Sequence, residues 1–213
     1  MTRYGLPLIH LAFFGSGFAA LLYQVTWQRL LALFAGSDVV SGAIVVSAFL
    51  AGLGLGSLAG GLLADRLRRR QALAAFALCN LAIALFGLAS KPLYYDFLFL
   101  RLDVLTDSRA LVGLVAFLAL LPPTFLMGLS LPCLSRAVVD EIERAARRIG
   151  LLYGADVVGA ALGAFVGTWY LIGTFGIDGT IHLAALLSLA VAGLAALAWR
   201  SLAAPDLAAA TRP

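Results

Sequence analysis

At 213 residues, 62% hydrophobic and 12% charged, with a mean hydropathy of +1.01, the chain carries more apolar surface than a water-soluble core of this length can hide. That composition excludes a soluble globular domain and predicts an all-α membrane protein, one transmembrane domain over 1–213 with no soluble catalytic domain. The formal net charge of +4 does not indicate nucleic acid, because the basic residues sit in short loops between apolar runs, where topology accounts for them.

Six charge-poor runs predict six transmembrane helices near 8–28, 39–64, 71–90, 110–135, 150–175 and 179–199, each close to the roughly 20 residues that cross a bilayer. No charge falls between Tyr4 and Gln28, and no small-residue cleavage site closes a short apolar core, so a retained first helix is expected rather than a cleaved signal. Along that helix His10, Gly17, Gln24 and Gln28 share one face, with Tyr23, Trp27 and Arg29 beside its last turns. Two readings stand for this face. One is hydrogen bonding between helices with an interfacial Trp/Arg anchor; the other is a polar wall lining a cavity.

The second run, Val39 to Ala64, places Gly52, Gly56 and Gly60 at every fourth position and ends on Asp65-Arg66-Leu67-Arg68-Arg69-Arg70. Glycines at that spacing admit a neighbouring helix at close range. Asn80 in the third run is expected to hydrogen-bond between helices, and Cys79 and Cys133 read as small buried apolar residues. The 91–109 loop mixes Tyr94, Tyr95, Phe97 and Phe99 with Asp96, Arg101, Asp103 and Asp107. It reads as an interfacial amphipathic helix with its aromatics at headgroup depth, a binding lid being the alternative.

In the fourth run Pro122, Pro123 and Pro132 remove amide donors, so a kinked or broken helix is expected. The fifth holds Asp156, three, seven and eleven positions before Gly159, Gly163 and Gly167, on a glycine seam facing other helices. An ion pair with Arg136 or Arg148 competes there with a site for a cationic ligand or a proton.

With the N-terminus inside, eleven Lys/Arg lie on the cytoplasmic side and four, Arg29, Lys91, Arg101 and Arg109, on the other. Both termini are therefore expected in the cytoplasm, with the protein multi-pass in a bacterial-type inner membrane. Arg29, Gly52, Gly56 and Gly60 recur as Arg136, Gly159, Gly163 and Gly167, shifted by 107 residues throughout. That shift points to a 3+3 inverted repeat. No catalytic constellation, metal-ligand spacing or cofactor motif is present. The GLGLG run at Gly52–Gly56 lies inside an apolar span and follows no strand.

Two resemblances follow from longer motifs. Gly61–Arg70 (GLLADRLRRR) resembles the signature between helices 2 and 3 of major facilitator transporters, G-x-L-A-D-R-x-G-R-R, with Arg68 in place of its second glycine. This implies a facilitator-like N-terminal half in which Asp65, Arg66 and Arg69 form a structural latch. Phe14–Arg29 (FGSGFAALLYQVTWQR), Leu121–Pro132 (LPPTFLMGLSLP) and Leu152–Ala160 (LYGADVVGA) resemble the membrane region of spermidine-synthase-like fusion proteins. There Asp156-Val157 stands where an asparagine-threonine pair is usual. That resemblance implies anchoring of a synthase-like Rossmann-domain partner and a link to polyamine chemistry, with no cofactor held in this chain. The expected substrate-binding residues are Tyr23, Gln24, Gln28, Tyr153 and Asp156. The alternatives are a half-size transporter working as a homodimer and a ligand-free membrane scaffold.

Overall fold

The computed structural model describes residues 5–35, 38–94, 109–139 and 142–201. They form α1 (Gly5–Ala35), α2 (Asp38–Arg66), α3 (Arg69–Lys91), α4 (Arg109–Val138), α5 (Ile142–Val166), a π-helical turn at Gly167–Leu171, and α6 (Ile172–Ser201). No strand occurs among the described residues. Five helical stretches are long and apolar enough to cross a membrane: Pro7–Ala32, Val39–Arg66, Arg69–Tyr94, Ala110–Val138 and the 56-residue Ala145–Arg200. Large apolar side chains such as Leu55, Leu58, Leu62 and Trp169 face outward, as they do in a bundle whose solvent is lipid.

The fifth stretch does not run straight. α5 lies parallel to α1, with Phe14 beside Gly159 and Phe18 beside Gly163. α6 runs against α1: Ile9 and Phe13 cluster with Val191 and Ala195, while Leu22 and Trp27 cluster with Ile181 and Ala184. The reversal falls at Gly176, whose φ of 70° and ψ of −178° break the helix. A residue with a Cβ rarely adopts that conformation. Thr180 donates to the Gly176 carbonyl at 2.7 Å, and Lys91 pairs with Asp178 beside it.

Two helix pairs make the closest approaches. The Gly56 Cα sits under the Phe125 carbonyl of α4, and Gly163 under the Phe18 carbonyl of α1, so near that a Cβ at either glycine would overlap the oxygen. Gly60 packs on Leu129 and Gly167 on Leu22. Glycine and partner in the α1·α5 pair are thus related to those in the α2·α4 pair by the same shift of 107 residues.

The expected break in α4 is absent; the helix runs unbroken through its three prolines. Proline 123 and proline 132 deprive the carbonyls of Ala119 and Gly128 of their helical donors. Tyr94 donates to Ala119 at 3.3 Å and Ser57 to Gly128 at 3.2 Å. Hydroxyls from α2 and the end of α3 thereby replace the missing amides.

Two aromatic expectations are corrected. Trp27 is fully buried rather than an interfacial anchor, stacked on Tyr23 with centroids 5.0 Å apart and in contact with Phe49, Phe86 and Tyr94. Tyr94 lies in that same core instead of at headgroup depth. The proposed amphipathic helix and lid fall on 95–108, outside the described residues. The helices also overrun their apolar windows; α5 starts at Ile142 rather than near 150, because the Ala/Arg-rich segment before the window sustains a helix beyond the apolar slab.

The seams make a sharp contrast testable. Gly56→Ala and Gly163→Ala are each expected to cost about 1–3 kcal/mol, because a methyl meets a backbone oxygen that cannot yield. Gly54→Ala and Gly154→Ala, where nothing lies within 4 Å, should be neutral or stabilising. Thermal unfolding of the four variants in one detergent separates the two groups.

Candidate functional site

Between the two seams lies a cavity of about 480 Å³, walled by α1, α2, α4 and α5. Most of its lining is apolar, from Phe13, Leu50, Leu53, Met127 and Leu131. Gln24, Tyr153 and Asp156 bring the polar groups that matter chemically, with Ser16 and Ser57 at its wall.

Asp156 is placed by the α1·α5 seam. Its backbone carbonyl and one carboxylate oxygen lie against Gly17, where any side chain would collide with them. Gly17 lies ten residues, about 15 Å along the axis, into the apolar stretch Pro7–Ala32, so Asp156 beside it sits deep in the bundle. Tyr153 is one turn earlier on the same face, and Gln24 is two turns beyond Gly17 on α1.

The expected pairing of Asp156 with Arg136 or Arg148 does not occur. Arg136 donates through Nε to the Leu67 carbonyl at 3.2 Å, and Arg148 donates to the Val138 carbonyl at 2.7 Å. Both arginines cap the end of the bundle, because carbonyls at the helix ends lack intrahelical donors. Among the described residues Asp156 has no ion pair, and Gln24, Tyr153 and Asp156 make no side-chain hydrogen bond. The serines differ: Ser16 donates to Asn80 at 3.3 Å and Ser57 to Gly128. An anionic group in a largely apolar cavity, with an amide and an exposed phenol on the same lining, suits an organic cation carrying N–H donors.

The other expected site residues lie elsewhere. Tyr23 is buried in the aromatic core, its hydroxyl near Ser188 and its ring against Gly87. Gln28 packs on Gly42 one turn past Gln24, away from the cavity. Asp65 and Arg66 are exposed. Of the three residues expected to form the latch, Arg69 makes a cross-helix tie, its Nε donating to Ala137 at 3.0 Å, and Arg136 adds a second. Arg68, in place of the signature glycine, adopts φ −74° and ψ 155° and accepts no strain; its amide donates to Gln71 Oε1 at 2.9 Å. Ser57 is one of three serines, with Ser41 and Ser47, in an uncharged span, and nothing in the sequence singles it out.

Set against family models, curated proteins and solved structures, the chain matches none. Among the described residues no group of three or more His, Cys, Asp or Glu is disposed to hold a metal.

A carboxylate near the middle of a membrane helix costs about 2.5–3.5 kcal/mol on insertion scales. Asp156→Asn is therefore expected to raise the unfolding temperature of the purified protein, and Asp156→Leu to raise it further. A drop in both variants would mean that the carboxylate is held by a structural partner after all.

Proposed function

We propose that the chain is an integral membrane domain of six crossings, built as two inverted three-helix repeats like the N-terminal half of a major facilitator transporter. Its cavity binds a polyamine-type cation, and the domain anchors a synthase-like partner that makes or uses that cation. The observation carrying the reading is Asp156: a carboxylate deep in the bundle, open to a 480 Å³ cavity and without a cationic partner among the described residues. A polyamine has an ammonium group for Asp156, further N–H donors for Gln24 and Tyr153, and methylene segments for the apolar walls.

Several features support the architecture. The turn at Gly176 divides Ala145–Arg200 into two antiparallel arms, each long enough to cross. The shift of 107 residues relates contacts as well as glycines. Arg66, Arg68, Arg70, Arg136, Arg147 and Arg200 gather at one end, which supports placing that end and both termini in the cytoplasm of a bacterial-type cell. A second reading, a half-size transporter working as a homodimer, is favoured by one feature. The cavity is lined by α1, α2, α4 and α5 alone, and Gly54 on its rim leaves room for another helix.

Radiolabelled spermidine binding to the full chain in nanodiscs tests the ligand. Wild type should bind saturably, Asp156→Glu should retain binding, and Asp156→Asn should weaken it by about tenfold to a hundredfold, the worth of a charged hydrogen bond. Absence of saturable binding of spermidine and of putrescine would sink the cation site. Affinity purification from native membranes tests the anchor: a synthase-like protein should be retained. Uptake into proteoliposomes by the chain alone would favour the homodimeric transporter.

A further inference from the structure

The arginines at the basic end form a site as well as a charge bias. The α2–α3 loop, the first turns of α3 and the ends of α4 and α6 enclose an open groove of about 770 Å³, lined by Arg68, Arg69, Arg70 and Arg136 with Gln71, Ala74 and Trp199. Arg69 is tied through Nε to Ala137, whereas Arg68, Arg70 and Arg136 are held in place without an opposite charge beside them among the described residues. The Arg70 guanidinium lies 4.5 Å from the centre of the Trp199 ring, a cation–π contact that fixes it over an apolar floor. Arg136 is tied through Nε to Leu67, and its terminal nitrogens keep their donors. Arg68 enters from the N-terminal cap position of α3, its backbone amide bound to Gln71. None of the three meets a carboxylate within ion-pairing distance among the described residues.

Four guanidinium groups around one groove repel one another, and a topological signal alone does not require them to converge. The groove sits where the apolar stretches end, at Gln71 of α3 and Trp199 of α6, which is headgroup depth for a bundle in a bilayer. Its basic rim matches a phosphate, and Ala74 with Trp199 offers an apolar side next to it. We propose that this groove binds a phosphate group, the phosphodiester of an anionic lipid headgroup or a soluble phosphate that shares its chemistry. Arg68 is the informative member: where the loop signature has a glycine, this chain adds a guanidinium to the groove wall at no conformational cost.

Native mass spectrometry of the full chain, titrated in detergent with phosphatidylglycerol, phosphatidylcholine or inorganic phosphate, tests this. Phosphatidylglycerol should be retained roughly tenfold or more over phosphatidylcholine. The variant Arg68→Gln/Arg70→Gln/Arg136→Gln should lose that preference, while Arg147→Gln/Arg200→Gln, which removes charge outside the groove, should keep it. Arg68→Gln alone, in an exposed position, should lower the preference several-fold and covers the case in which the triple variant does not fold. Displacement of the lipid by inorganic phosphate, or phosphate binding without lipid binding, identifies a soluble source; retention of lipid against phosphate identifies the headgroup. Equal retention of the two lipids by wild type with no phosphate bound, or equal loss of preference in the control variant, overturns the proposal.

Discussion

Two backbone oxygens, those of Phe18 and Phe125, govern how this bundle closes. Each rests on a glycine of the neighbouring helix, Gly163 and Gly56, at a separation no side chain permits. Among apolar surroundings helices gain little from burying leucine against leucine, so association relies on close van der Waals contact and on weak Cα–H···O contacts where backbones touch. A small residue on every turn keeps α1 against α5 and α2 against α4 over several turns. With both pairs this tight, the bundle's open space is left between them, and that is where the cavity lies.

The polar groups divide sharply by location. Through most of the bundle, hydroxyls and amides are returned to the backbone: Thr26 donates to Leu22, Ser90 to Gly87, Ser130 to Leu126, and Asn80 to Phe76. Tyr94 and Ser57 go further and serve carbonyls that prolines have stripped of donors. An apolar environment enforces this thrift, since an unsatisfied polar group there costs several kcal/mol. Trp27 Nε1 in the aromatic core also lacks a partner among the described residues, but Gln24, Tyr153 and Asp156 are set apart by their place. Their hydrogen-bonding capacity is unused among the described residues, and all three line the same cavity.

Features that depend on periodicity were legible in the sequence. The apolar runs located the helices, and glycines at every fourth position located both seams, because a helix repeats its face with that period. Features that depend on distant partners were not. Trp27 beside Arg29 looked like an interfacial pair, yet Phe49 and Phe86, far along the chain, draw the indole into the core. The proline pair looked like a break because the residues that repair α4, Ser57 and Tyr94, lie on other helices. Asp156 stands near the start of its apolar run and so looked able to pair with Arg136 or Arg148, yet the carbonyls of Leu67 and Val138, on other segments, take both guanidinium groups. Gln24, Tyr153 and Asp156 were all legible as polar residues in apolar runs. That Tyr23 and Gln28 turn elsewhere follows only from how α1 packs on α2, α3 and α6.

The basic end and the buried carboxylate are linked by what the arginines do. Arg136 and Arg148 carry charges opposite to that of Asp156 and lie on the helices that wall its cavity. Each is instead committed to a carbonyl at the bundle's end, Leu67 or Val138. A long arginine reaching inward would neutralise Asp156 and fill the cavity together, at the expense of leaving those carbonyls bare. Holding the guanidinium groups at the rim keeps two fields separate, positive at the surface and negative in the interior.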